Sequence, residues 1–232
     1  MSLLSLAFEQ PLLFVVLVAV FLLVLSVFEQ PLLFVVLVAV FLLVLSVHEF
    51  SHALVGYWLG DSTAQRMGRL TLNPLAHIDP IGFLALLTIG FGWGKPVPFN
   101  PYNLKYPRWG PTLVALAGPG SNLILGAIFA VLFRFFAPLL GGQNLLIVFL
   151  SYAAYLNFLL LLFNLIPIPP LDGSKVLLSV LDGPRYAPTR FFLERYGVTV
   201  LLTLILLDSF SSLSIFSWLS IGAQGLFRLI GG

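Results

Sequence analysis

Between residues 31 and 59 the chain is almost continuously apolar, interrupted near its end by Ser46, His48-Glu49 and Ser51-His52. A run of that length is the mark of a membrane-spanning helix. Residues 8–27 (FEQPLLFVVLVAVFLLVLSV) recur unchanged as residues 28–47. A fold-level repeat would have drifted, so identity throughout points to a recent duplication or a copying error. Each copy offers about 17 apolar residues after its proline, the lower limit for a span. Glu29-Gln30-Pro31 suits a break between two helices, and the first copy is expected to cross antiparallel to the second.

Beyond residue 60 the pattern changes. Gly60-Asp61-Ser62 has the turn chemistry that ends a helix, and residues 67–73 alternate like a short strand. Residues 81–94 are apolar but short and rich in glycine, which suits a re-entrant or interfacial segment better than a full span. Residues 94–101 are punctuated by proline and predicted extended, with backbone groups free to pair with an unwound peptide. The next span is expected over 111–134, with Ala117-Gly118-Pro119-Gly120-Ser121-Asn122 near its start. Small residues there let helices approach closely, and Asn122 needs a partner in lipid. Residues 145–166 return, ending in Asn164-Leu165-Ile166-Pro167-Ile168-Pro169-Pro170-Leu171-Asp172-Gly173. Prolines at that density unwind a helix while the sequence is still apolar, which is tolerated only inside protein or along a cavity. A polar loop over 182–195 and a helical hairpin, 196–207 and 213–230, complete the pattern. The fold class is an all-α polytopic membrane protein. It is expected to form one domain over 1–232, with about six transmembrane helices and a short re-entrant or β segment between the first polar-interrupted helix and the next span.

Composition narrows the function. With 59% hydrophobic residues, 9% charged residues and a mean hydropathy of +1.06, the chain is not a soluble domain. A net charge of +2 says nothing about nucleic acid, but there is no basic block, and no nucleic-acid partner is expected. The lack of cysteine excludes disulfides, thiolate zinc sites and a cysteine nucleophile. The first residues lack a basic n-region and a cleavage site, and read as an uncleaved membrane segment. Arg66, Arg69, Lys95, Lys105 and Arg108 fall in one loop region, and Lys175, Arg185, Arg190 and Arg195 in another. Both regions are expected to face the cytoplasm, with Arg134 the exception. Counting back from residue 59, His52 would then lie ~10–15 Å inside the cytoplasmic boundary.

The chemistry sits in the interruption. His48 and His52, four apart, lie on one face of a helix, so both imidazoles can reach one cation. Glu49, one step round, lies beside such an ion, where a carboxylate can take a proton from activated water. His48-Glu49-Phe50-Ser51-His52 thus reads as H-E-x-x-H, two zinc ligands and a general base. Ionisable groups inside lipid are costly, which favours function over packing. Catalytic zinc needs a third protein ligand. Residue chemistry leaves Asp172, at the proline-broken helix end, and His77 as candidates.

These motifs together resemble the site-2 protease family of intramembrane zinc metalloproteases, in its short form without PDZ or CBS domains. The resemblance rests on His48-Glu49-Phe50-Ser51-His52, on Gly118-Pro119-Gly120-Ser121-Asn122 and on Asn164…Pro167…Leu171-Asp172-Gly173, and covers residues 47–195. It implies one zinc per chain held by His48, His52 and Asp172, with Glu49 activating the water. It also implies that Asn164 helps hold the substrate or its oxyanion; Asn122 is carried as a second candidate for that role, with packing as the alternative. The implied substrate is the transmembrane helix of another protein in the bilayer, cut from the cytoplasmic side of a prokaryotic cell membrane. Short members usually begin with the motif helix, and the duplicate here adds a segment before it. The rival reading is a membrane zinc-binding protein or transporter, which would spread its ligands over several spans.

Overall fold

The computed structural model describes Val15, Val18 and residues 31–89, 92–211 and 213–232. The expected crossing of the first copy, residues 8–27, and the break at Glu29-Gln30 lie outside the described residues.

Three helices form the centre: α1 (Pro31–Trp58), α4 (Gly110–Leu140) and α5 (Leu145–Asn164). Between α1 and α4 lie a single turn, α2 (Thr63–Arg66), and the ten-residue α3 (Pro80–Ile89). After α5 come α6 (Asp172–Val180), α7 (Ala187–Phe210) and α8 (Ser217–Gly231). At ~1.5 Å per residue, α5 matches the ~30 Å hydrocarbon core, while α1 and α4 exceed it. These three are, among the described residues, the helices long and apolar enough to cross a membrane, set against an expectation of about six spans. One expected span, residues 8–27, lies outside the described residues, and the other differences have local causes. Arg190, Glu194 and Arg195 occupy the first half of α7, and α3 and α8 are too short to span unaided.

Helix α4 packs against both α1 and α5, and α8 closes over α4 and α5. Val40 and Val44 of α1 meet Ala153 of α5 in one buried cluster. Ala130, Ala154, Phe158, Leu161 and Ala223 form a second cluster, and Ile166, Leu171, Leu201 and Leu219 a third. Opposite these contacts α4 exposes Ile124, Ile128, Val131, Phe135 and Leu139. A helix apolar all round needs lipid on its outer side. Pro119 lies inside α4 without breaking it; its missing N–H removes the partner of the Ala115 carbonyl.

The expected strand over 67–73 is a turn instead. Gly68 takes a positive φ of 67°, and the Asn73 side chain accepts from the Leu75 N–H, capping a 3-10 turn (Pro74–Ala76). Local side-chain capping outcompetes strand pairing here. Of the expected β character, the described residues keep one antiparallel bridge, Ile78 with Gly94, reinforced by a 2.8 Å bond from the Lys95 N–H to the His77 carbonyl. Helix α7 begins inside the expected polar loop, and α8 begins a few residues later than expected.

Candidate metal centre

The helix α1 presents His48 and His52 on its buried face, as four-residue spacing requires. Their Nε2 atoms stand 3.0 Å apart. Asp172 reaches the same point from the far side of the molecule in sequence. Helix α5 stops at Asn164, the proline-rich turn reverses the chain, and α6 starts at Asp172. Gly173 makes the reversal possible, because any Cβ there would strike the Leu165 carbonyl. Asp172 Oδ2 lies 3.3 Å from each Nε2 atom.

Several observations say what these atoms suit. Asp172 Oδ2 is buried without a hydrogen-bond donor. A carboxylate oxygen and two imidazole nitrogens are a zinc donor set, and tetrahedral zinc at about 2.0–2.1 Å from each ligand sets ligand atoms about 3.3–3.4 Å apart. The Nδ1 of His52 lies 2.7 Å from the Val114 carbonyl, which can only accept. Nδ1 therefore carries the proton, and the Nε2 lone pair faces the other two donors. Space is kept by Gly118 of α4, where a Cβ would sit 2.6 Å from His48 Nε2 and closer still to His52 Nε2. Among the described residues, His48, His52 and Asp172 are the group able to share one metal ion.

The other residues singled out by sequence fall around this group. Glu49 stands beside it, half-buried, and Oε2 accepts the Val97 N–H at 3.0 Å. Val97 lies between Pro96 and Pro98, so its N–H is the one amide donor in that tripeptide. Asn122 is fully buried with Nδ2 drawn 3.1 Å from His48 Nδ1, on the ring edge away from Asp172. Asn164 closes α5, and its amide nitrogen donates to the Leu160 carbonyl; among the described residues no hydrogen bond ties it to the donor group.

His77 is not brought to the centre. It is fully buried elsewhere, with Nε2–H donating to the Thr71 carbonyl at 2.8 Å and Nδ1 facing Arg69 at 3.5 Å. Burial pushes its pKa down, the Thr71 bond opposes this, and the Arg69 charge pushes down again. A neutral histidine locked by its own loop is a structural residue. Arg69 also donates to the Lys95 carbonyl, tying the two edges of the loop together.

Two contributors were missed by sequence reasoning. The Val114 carbonyl carried no signal, since any residue supplies one. Gly118 was seen only as a small residue for helix packing; its four-residue spacing from Val114 and Asn122 gains meaning once that stripe faces the histidines.

Two imidazoles and a carboxylate converging inside an apolar helix bundle, with a glutamate alongside, define a metalloprotease-like centre. Comparison with known proteins agrees. The profile of peptidase family M50 matches residues 141–207, the stretch that holds Asn164 and Asp172. Two similar relatives carry the name "Putative zinc metalloprotease". YwhC of Bacillus subtilis is 40% identical over 188 residues, 78% of this chain and 84% of that protein. Rip2 of Mycolicibacterium smegmatis is 37% identical over 139 residues, 56% of this chain and 51% of the relative, so the chain spans about half of that protein's length. No solved structure matches significantly. The chain belongs to peptidase family M50, the site-2 protease family, and is a membrane-associated zinc metalloprotease by that membership.

Proposed function

We propose that this protein is an intramembrane metalloendopeptidase that cuts the transmembrane segments of other proteins. The observation that carries the reading is the meeting of His48 Nε2, His52 Nε2 and Asp172 Oδ2 within 3.3 Å, with both histidines on a helix long enough to span a bilayer and Asp172 at the start of the short α6. In this reading these three residues hold one zinc ion. When bound, zinc supplies Lewis-acid polarisation of the scissile carbonyl and makes water nucleophilic near neutral pH.

The chain's own residues do the rest. Glu49 stands next to the ligands without being one of them. Its carboxylate accepts the proton of the attacking water and returns it to the leaving amine, so no charge is stranded in a low-dielectric site. The Val97 N–H fixes one carboxylate oxygen, leaving the other for that exchange. Asn164, the last residue of α5, would in this reading meet the substrate backbone or its developing oxyanion. A substrate helix hides its carbonyls in i→i−4 bonds and must unwind before cleavage. The non-helical residues 94–100, which meet Glu49 at Val97, would offer an edge along which an unwound strand can lie. The segment around α3, folded back on itself by the Ile78–Gly94 bridge, is the re-entrant element of this reading. The Lys/Arg distribution supports a centre toward the cytoplasmic side.

Purified protein incubated with a panel of single-span substrates should cleave some within their apolar segments. Chelator should abolish cleavage, and added zinc should restore it. Cleavage indifferent to chelator, or no cleavage of any substrate by zinc-loaded protein, would contradict the proposal.

A further inference from the structure

The two histidines are approached from behind by one stripe of α4. Val114, Gly118 and Asn122 are spaced by four and face His52, the space between the rings, and His48 respectively. For His52 the tautomer follows directly, because a carbonyl must be receiving the Nδ1–H. For His48 it depends on which end of the Asn122 amide faces Nδ1. With the nitrogen facing the ring, Nδ1 accepts, the ring proton sits on Nε2, and that nitrogen cannot ligate. The same orientation leaves Asn122 Oδ1 fully buried without a donor. Turning the amide by 180° brings Oδ1 to Nδ1, gives that oxygen its donor, and directs the Nε2 lone pair at Asp172 Oδ2.

We infer that Asn122 is a positioning residue for His48: its Oδ1 accepts the Nδ1–H and holds the imidazole in the metal-ligating tautomer. Helix α4 thereby supplies the outer hydrogen-bond partner of both histidines, one from backbone and one from side chain. The inference rests on His48, His52 and Asp172 being ligands, and it assigns Asn122 to the metal side of the site, away from the substrate.

The test is zinc affinity of purified protein, measured by competition with a chromophoric chelator, for the parent chain and two variants. Asn122→Leu keeps the volume and removes the acceptor; its affinity should fall about 10–100-fold. Asn122→Asp, ionised beside the imidazole, can only accept, and should hold zinc within about threefold of the parent or more tightly. Recovery by aspartate is what a merely space-filling role would not give. Parent-like affinity in Asn122→Leu, or an Asn122→Asp variant that loses zinc, would overturn the assignment. If Asn122→Leu does not fold, Asn122→Asp decides alone when measured at a pH where zinc binding no longer rises, since an ionised carboxylate cannot replace an N–H donor. A parent chain that binds no zinc would overturn the metal centre itself, and this inference with it.

Discussion

At the residue scale, the centre depends on where atoms are absent as well as where they are present. Gly118→Ala would place a methyl group against both Nε2 atoms, while alanine favours the helix. The expected result is a folded protein whose zinc affinity falls by more than about tenfold, measured by metal analysis after dialysis; an alanine variant with full zinc would show that the rings yield. Asp172→Ala should lower zinc content sharply and His77→Ala should leave it nearly unchanged, since His77 Nε2 is already spent on Thr71. The opposite pattern would move the third ligand to His77. The pairing of His48 with His52 was legible because a spacing of four matches the helical repeat. Which of Asp172 and His77 lies near the histidine pair was not legible, since it depends on where the proline-broken end of α5 returns; the fold brings Asp172 there and leaves His77 in its own loop.

At the element scale, the loop that crosses Glu49 is held at two points. One is the Arg69, His77 and Lys95 cluster. The other is Asp61, just past α1, which accepts from the Thr63 N–H and hydroxyl, the Asn100 N–H and the Asn103 amide. Burial alone would push this carboxyl up, but these bonds outweigh it and hold its pKa below the usual carboxylate range. A carboxyl depressed in the folded state stabilises the fold fully above its unfolded pKa of about 3.9. The contribution is lost as pH falls through the folded value. Thermal melting of the parent should therefore weaken below about pH 4 more steeply than that of Asp61→Asn, and parallel profiles would remove Asp61 as the anchor. Asp61 was visible in sequence only as turn chemistry, because its partners Asn100 and Asn103 lie some forty residues away. Helix contacts were similarly hidden. A Cβ on Gly126 would press into the buried Phe158 ring, so Gly126→Ala should cost about 1–3 kcal/mol in reversible unfolding, and no loss would mean the ring is free to shift.

At the scale of the whole molecule, the spans at 31–59, 111–134 and 145–166 were readable because a bilayer demands long apolar runs. The loop structure between α1 and α4 was not, because capping side chains and one bridge decide it. Orientation remains the sequence's own proposal and is open to a clean test. The chain has no cysteine, so single cysteines can be introduced at Lys105 and Gly142, exposed positions beyond opposite ends of α4. In intact cells a membrane-impermeant maleimide should label Gly142→Cys, and should label Lys105→Cys only after permeabilisation; the reverse would invert the topology. The account's central claim, that zinc is held by His48, His52 and Asp172 while Glu49 moves the proton, is tested most directly by measuring bound zinc and substrate cleavage together in Glu49→Gln and Asp172→Ala. Glu49→Gln should keep near-stoichiometric zinc and lose cleavage, and Asp172→Ala should lose both. Cleavage retained by Glu49→Gln, or zinc lost from it in step with activity, would contradict the account.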